Sequence, residues 1–417
     1  MSQTTLQETR VVSQKFKIAD SHTLAVAQAH GAYETLSKAL FRPSEDITNA
    51  IKESGLRGKG GGGALAGDKW LLMPKDDPRP SYLVVNCDES EPGTFKDRQI
   101  ITKDPHLLIE GIILTSYAID ANSAYIYIRG EYQSFEKILQ NAIDEAYSAR
   151  LLGKGIANSD FDLELTIHRG AGAYICGEKS ALLESLEGKR GHPRLKPKQK
   201  EPEWYFGNPT LVNNVETIAT VPYIVENGAS AYSNYGTSQS AGTLLFAMSG
   251  HIKRAGVYEV AFGTPMLEFI NHFGGGIRGD KKLKAVIPGG SSTPVLTADE
   301  VAKATLDYET LRSLGSSLGT GGMIVMDEDT DMVEVLKNLL EFYHHESCGQ
   351  CTPCREGTGW SDQIVGKILR KEATSRDIDK LLSIADIMNG KTICVFAPAV
   401  SGVISSFISK FRGEFEV

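Results

Sequence analysis

Tyr82-Leu83-Val84-Val85-Asn86-Cys87-Asp88-Glu89-Ser90-Glu91-Pro92-Gly93 decides the fold. Its first half is a short aromatic and β-branched run with the composition of a buried strand. Its second half is an acidic turn. Tyr125-Ile126-Tyr127-Ile128 repeats the strand signal. Between the two, Asp104-Pro105 offers an N-cap followed by proline at the first helical position. Leu107 to Tyr117 is apolar enough for a helix packed against a sheet. After Arg129-Gly130, residues Phe135, Ile138, Leu139, Ala142 and Ile143 recur at helical spacing. Strand, helix, strand, helix predicts an α/β domain with a mainly parallel sheet over roughly the first 240 residues.

The character changes near Ala241. Leu244 to Met248, Val257 to Val260 and Lys284 to Ile287 are short strand-like runs, with glycine-rich turns at Gly274-Gly275-Gly276 and Gly289-Gly290. This stretch predicts a small α+β module. From Asp331 onward, Met332, Val335, Leu336, Leu339, Leu340 and Tyr343 line one helix face. Further helical stretches follow Gly357 and run between Asp377 and Met388. The C-terminal region is expected to be a small helical bundle.

That bundle carries Cys348-Gly-Gln-Cys351-Thr-Pro-Cys354, with Cys394 forty residues on. A tight run of three cysteines with a remote fourth suits thiolate ligation of a [4Fe–4S] cluster. Tetrahedral zinc usually pairs two ligands with two others across a spacer, so it fits less well. Disulfides would need an oxidising compartment. Cys87 and Cys176 remain, either as small buried residues beside glycine turns or in an active role.

Gly58-Lys59-Gly60-Gly61-Gly62-Gly63, running on to Gly67-Asp68-Lys69, is a backbone-rich anion site or a flexible linker. Lys69 would add charge toward a phosphate. The Gly-Lys-Ser/Thr ending of a Walker A loop is missing, and no clear strand precedes the loop as a dinucleotide fingerprint requires. Asn86 to Gly93 directly follows a strand, at the ligand-binding crest of an open α/β sheet. Gly170 to Glu178 sets glycines around Tyr174, an aromatic suited to stacking on a ring or to the core. Asn213, Asn214 and Thr217 add hydrogen-bonding groups near a helix start. A basic run, Lys189, Arg190, His192, Arg194, Lys196, Lys198 and Lys200, is either a solvated loop, a steering patch for an anionic nucleotide or a contact for an acidic partner.

Composition bounds these readings. The 417 residues suffice for two or three domains, and 41% hydrophobic with 23% charged content is ordinary for a globular protein. A net charge of -8 argues against a general nucleic-acid binder. The N-terminus has no apolar signal region, and no run of apolar residues is long enough to span a bilayer. The expected location is cytoplasmic, with membrane association only through partners.

Taken together, these residues resemble the flavin-bearing, NADH-oxidising subunit of respiratory complex I, the 51-kDa subunit or its bacterial counterpart. The resemblance rests on residues 58–67, 86–97, 106–111, 125–132, 170–178, 185–197, 213–217, 287–294 and 346–357. It implies a Rossmann-like FMN domain over 1–240, a β-grasp-like domain over 241–328 and a helical [4Fe–4S] domain over 329–417. It further implies FMN on Gly58, Gly60, Lys69, Asn86, Asp88, Glu89, Gly177, Glu178, Asn213 and Asn214, with Gly61, Gly67, Ser90, Lys179 and Thr217 also cofactor-binding. NADH would stack on the flavin near Glu91 and Tyr174, the implied catalytic pair. Cys348, Cys351, Cys354 and Cys394 would hold the cluster. A [2Fe–2S] subunit and a larger iron–sulfur subunit are the implied partners, placing the chain peripheral to the inner membrane. Two positions depart from the family pattern. Ala64 stands where an aromatic is usual, and Lys179 stands where a second acid is usual. An acid there would bond the adenosine 2′-hydroxyl, whereas a cation accommodates a 2′-phosphate. Three alternatives stay open: NADPH use, an electron relay fed by a protein donor, and the diaphorase subunit of a hydrogenase or formate dehydrogenase.

Overall fold

The computed structural model describes residues 6–196 and 201–416. Five strands form the first sheet: β1 (Tyr82–Cys87), β2 (Ser123–Ile128), β3 (Glu164–Arg169), β4 (Glu203–Tyr205) and β5 (Asn208–Asn214). Their spatial order is β3-β2-β1-β5-β4. All neighbours are parallel except the edge pair β4–β5. The chain builds from β1 outward through β2 to β3, then returns to the other side of β1. That reversal is a topological switch point, and ligands of open α/β sheets bind beyond the strand ends there. In register, Asn86 lies beside Asn214 at that position.

Strand residues alternate between two cores, as period-two side-chain geometry requires. Leu83, Val85 and Cys87 of β1 join one apolar cluster with helices Ser44–Glu53, Pro105–Ala118, Gln133–Ser148 and Val215–Asn227. Val84, Tyr127 and Val212 face the other way, into a cluster shared with the C-terminal helices. Helix Pro105–Ala118 is buried on nearly every side, which explains its largely apolar sequence. Asp104 caps it by accepting from the Leu107 amide, with Pro105 following, as the sequence predicts. A Cβ on Gly111 would fall 2.2 Å from the Ile218 carbonyl, so helix Val215–Asn227 can pack this closely only against glycine.

The middle segment is a second five-stranded sheet, in the order β7-β6-β10-β8-β9. It comprises β6 (Thr243–Gly250), β7 (Gly256–Ala261), β8 (Leu283–Ile287), β9 (Leu296–Thr297) and β10 (Gly322–Asp327). β6 and β10 are parallel and the remaining pairs antiparallel. Four helices follow: Met332–Glu346, Thr352–Leu369, Ser375–Met388 and Phe396–Phe415. The helix expected after Gly357 begins earlier, inside the cysteine run, and the last helix has no counterpart among the sequence-based expectations. Leu336, Leu340, Val365, Leu381, Val403 and Phe407 form the bundle core. Each such side chain contributes about 1.5–3 kcal/mol by leaving water. Among the described residues no helix is long and apolar enough to cross a membrane.

Candidate functional site

Asp88 anchors the first half of the site. It leaves β1 at the switch point, and its Oδ1 is buried without a hydrogen-bond partner. Burial pushes its carboxyl up to about 7, against the opposing effects of the Ser90 hydroxyl and the Arg129 guanidinium. Around Asp88 the structure gathers most of the residues singled out in the sequence. Asn86 Nδ2 donates to the Gly177 carbonyl at 2.8 Å. A Cβ on Gly177 would lie 3.6 Å from both the Asp88 carbonyl and the Ser90 hydroxyl. The glycine loop closes the other side, and a Cβ on Gly60 would lie 3.2 Å from Asn214 Cβ. Gly58 binds the Ala64 carbonyl through its own amide, and Gly61 takes φ +109. Ala64 is exposed.

Several of these side chains are engaged with the protein itself. The Glu89 carboxylate accepts from the Asp97 and Arg98 amides, Arg98 Nε and the Tyr132 hydroxyl. Its backbone carbonyl also accepts from Arg129 Nη1 at 3.0 Å, so its amide is what remains for a ligand. Glu178 caps helix Lys179–Leu186 by accepting from the Ser180 and Ala181 amides. Asn213, with its amide oriented to satisfy both ends, accepts from Trp70 Nε1 at 2.8 Å. Thr217 accepts from the Lys59 amide. Gly67 lies in helix Ala66–Trp70, where a Cβ would fall 2.4 Å from Lys52 Cα, a packing contact. Lys69 donates to the Val212 carbonyl. Burial lowers its ammonium to about 8, nearby Lys179 adds to that, and Glu203 opposes it. Lys179 itself is ion-paired with Glu203 of β4.

Beneath the glycine loop lies a buried ionic network that the sequence did not reveal. Glu216, wholly buried, pairs with Lys59 at 3.2 Å and Lys96 at 2.8 Å. Lys96 also pairs with Asp97 at 2.8 Å, and Asn214 bridges Lys96 and Asp97. Burial alone would raise Glu216, yet Lys96 and Lys59 hold its carboxyl below the usual range. Lysine in a glycine loop reads as a ligand for phosphate; here Lys59 points inward and ties the loop to helix Val215–Asn227. Tyr308 of the middle segment is also new. A Cβ on Gly63 would fall 2.3 Å from its ring.

Glu91 meets two distant parts of the chain. Its carboxylate accepts from the Tyr174 hydroxyl at 2.6 Å, the Ser291 hydroxyl at 3.0 Å and the Ser292 amide at 2.7 Å. Tyr174 opens the 3₁₀ turn Tyr174–Gly177, and its ring packs edge-on against Phe342 and Phe396.

The same turn reaches the second half of the site. Ile175, Phe396, Cys348, Cys351, Cys354 and Cys394 line one small pocket. Cys351 caps helix Thr352–Leu369 and Cys354 lies in its first turn, while Cys394 lies just before helix Phe396–Phe415. Both cysteine segments therefore sit at helix N-termini, whose positive ends favour thiolate charge. The Ile393 amide donates to Cys351 Sγ at 3.4 Å. His192 contacts the Cys348 carbonyl, and Pro193 lines the cavity, so part of the basic run serves the cysteine loop. Arg194 is neutralised by Glu184 and Glu187, and Lys189 pairs with Glu187. Lys198 and Lys200 lie outside the described residues. Cys87 and Cys176 are both buried, and burial pushes their thiols up.

Comparison with known proteins bears on both halves. Residues 51–223 match the Nuo51 FMN-binding domain, 244–335 the SLBB domain, and 334–417 the NADH-ubiquinone oxidoreductase-F iron-sulfur binding region. The NADH-quinone oxidoreductase F subunit of Rickettsia bellii (strain OSU 85-389) is 48% identical over 397 residues, covering 95% of each chain. The chain belongs to the family of NADH-quinone oxidoreductase F subunits. The Mycobacterium bovis F subunit is 46% identical over 98% of this chain and 93% of that protein. A crystal structure of an NAD+-reducing [NiFe]-hydrogenase in the H2-reduced state superposes with a TM-score of 0.83 at 35% identity. The match covers 91% of this chain and 64% of that hydrogenase chain.

The residues present fit the groups that this family implies. Asp88 Oδ1, an orphaned buried oxygen facing a glycine-lined crest, has the chemistry to meet a flavin N–H or ribityl hydroxyl. The glycine backbone leaves room for close approach of a phosphate. Four thiols around one cavity, two segments at helix N-termini and an amide directed at sulfur fit a [4Fe–4S] cluster. Among the described residues no group of three or more His, Cys, Asp or Glu side chains is arranged to hold a single metal ion.

Proposed function

We propose that the chain is the NADH-oxidising subunit of an NADH:quinone oxidoreductase. One observation carries the reading: the turn Tyr174–Gly177 touches the glycine crest at one end and the four-cysteine cavity at the other. Bound FMN supplies hydride acceptance and its division into single electrons, and a bound [4Fe–4S] cluster supplies a one-electron acceptor. The protein's work is to hold, orient and shield. Gly58, Gly60, Gly61, Asn86, Asp88, Ser90, Gly177 and Asn214 would hold FMN, chiefly by backbone. Glu91 and Tyr174 would orient the nicotinamide end of NADH. Ile175 and Phe396, apolar and between the two halves, exclude water from the short path to Cys348, Cys351, Cys354 and Cys394.

The chain divides, on this reading, into 1–240, 241–328 and 329–417. A [2Fe–2S] subunit and a larger iron–sulfur subunit receive the electrons, and the assembly holds the chain at the cytoplasmic face of the inner membrane. The near-complete span of the NADH-quinone oxidoreductase relatives favours this assembly over a hydrogenase diaphorase. The Lys179–Glu203 ion pair favours NADH over NADPH, because it occupies the cation that a 2′-phosphate would need. Anaerobic stopped-flow mixing of the FMN- and cluster-loaded protein with each nucleotide tests the proposal. Rapid flavin bleaching by NADH is expected, with NADPH much slower. Absence of bleaching by either nucleotide overturns it.

A further inference from the structure

Glu91, in the turn after β1, is held by groups far from it in the sequence. Ser291 and Ser292 come from the loop after β8, and Ser291 is fully buried. A serine hydroxyl has one hydrogen. Ser291 gives it to the Glu91 carboxylate, so the 2.6 Å contact between Ser291 Oγ and the Tyr343 hydroxyl has Tyr343 as donor. Tyr343 is 1% exposed and lies on helix Met332–Glu346. The same helix also steadies the tyrosine that binds Glu91: Glu346 accepts from the Tyr174 amide at 3.0 Å. At its end, the Ser347 hydroxyl contacts Cys354 Sγ at 3.3 Å. The loop is pressed onto the crest. The Ser291 amide donates to the Pro92 carbonyl, and a Cβ on Gly290, at φ +101, would fall 2.4 Å from Glu91 Cγ.

We propose that Tyr343 and Ser291 are positioning residues for Glu91, forming a hydrogen-bonded strut from the cysteine-bearing helix to the nucleotide site. The inference rests on the proposed role of Glu91 in holding the nucleotide. Tyr343 donates to Ser291, Ser291 donates to Glu91 Oε1, and Tyr174 donates to Glu91 Oε2. Both oxygens are then aimed by one helix, and the carboxylate cannot swing without breaking a buried bond. Packing alone does not require this arrangement: a phenylalanine at 343 would keep the ring contacts with Phe342 and Phe396.

The test uses the full chain loaded with FMN and cluster, and titrates NAD+ by calorimetry alongside steady-state NADH kinetics and thermal melts. The variants are Glu91→Gln, Glu91→Ala, Ser291→Ala, Tyr343→Phe and the double variant Glu91→Ala/Tyr343→Phe. Ser291→Ala removes a hydrogen bond to a carboxylate and is expected to weaken NAD+ binding about tenfold. Tyr343→Phe, one bond removed, is expected to weaken it about threefold, with KM rising more than kcat falls. The double variant should bind no more weakly than Glu91→Ala alone, because the strut acts only through the side-chain oxygens at position 91. If either single variant fails to fold, the other carries the test. Wild-type binding by both Ser291→Ala and Tyr343→Phe, with Glu91→Gln impaired, overturns the strut and leaves the reading of Glu91 intact. Fully additive effects in the double variant overturn it as well. Unchanged binding by Glu91→Gln overturns the role of Glu91, and the strut with it.

Discussion

Replacing Glu216 by glutamine should destabilise the first domain more than any surface change of similar chemistry. The amide still accepts from the Leu245 amide, a bond of 2.8 Å that links helix Val215–Asn227 to β6. The shape is nearly unchanged. The charge is not. Lys59, Lys96, Asp97 and Glu216 form a balanced set of two cations and two anions, all essentially without solvent contact. With glutamine at 216 two ammonium groups face Asp97 as the single anion, and Lys59 keeps only neutral partners, the Thr220 hydroxyl at 2.9 Å among them. Breaking a buried pair by removing one partner costs about 3–5 kcal/mol, and sharing by two lysines puts this case toward the upper end. For a domain of this size that corresponds to a fall in Tm of about 6–20 °C. The assay is thermal denaturation of the full chain followed by circular dichroism, reading the first transition. Adding Lys59→Met should restore a large part of the loss, because Lys96 and Asp97 then balance each other. The same Glu216→Gln protein should release FMN more readily, since Lys59 anchors the glycine loop. A Tm within about 2 °C of wild type, or no recovery with Lys59→Met, refutes the reasoning.

Other expectations follow from the same geometry. Glu110 is buried in helix Pro105–Ala118, and burial raises its carboxyl to about 7 against the Tyr33 amide that donates to it. A folded value above the unfolded one means stability that is full below about 4.5 and lost as pH rises through about 7. Glu110→Gln should therefore reduce the stability loss between about pH 5 and 8 by about 3 kcal/mol, measured by urea unfolding at each pH. An unchanged pH slope would count against it. Cys394→Ala should abolish cluster retention, read as iron and acid-labile sulfide per chain, while FMN content stays near wild type. Glu203→Gln should free the Lys179 ammonium and shift the kcat/KM ratio toward NADPH about tenfold, the scale of a hydrogen bond to a charged group. No shift would separate Lys179 from nucleotide choice.

The local patterns were legible because they answer to local physics. Alternation of Leu83, Val84 and Val85 between two cores is a consequence of strand geometry, so the sheet could be read from composition. The Asp104 cap and the apolar face of helix Met332–Glu346 are equally local. The cysteine spacing was legible because three thiols lie within seven residues. The helix Phe396–Phe415 escaped, since its small and β-branched residues give no sharp amphipathic face.

By itself, then, the sequence determined the strand–helix alternation, the glycine loop, the acidic crest and the thiol set. Only the tertiary structure decided which side chains remain free for a ligand. Lys59, inside the glycine loop, is buried on Glu216. Glu89 looked available and is consumed by helix Asp97–Lys103 and Tyr132. Glu91 owes its orientation to Ser291 and Ser292, some 200 residues away, and through Ser291 to Tyr343. The physical reason is the reach of hydrogen bonds. A donor within about 3 Å fixes a carboxylate, and nothing in linear spacing says which distant donor the folded sheets will bring there.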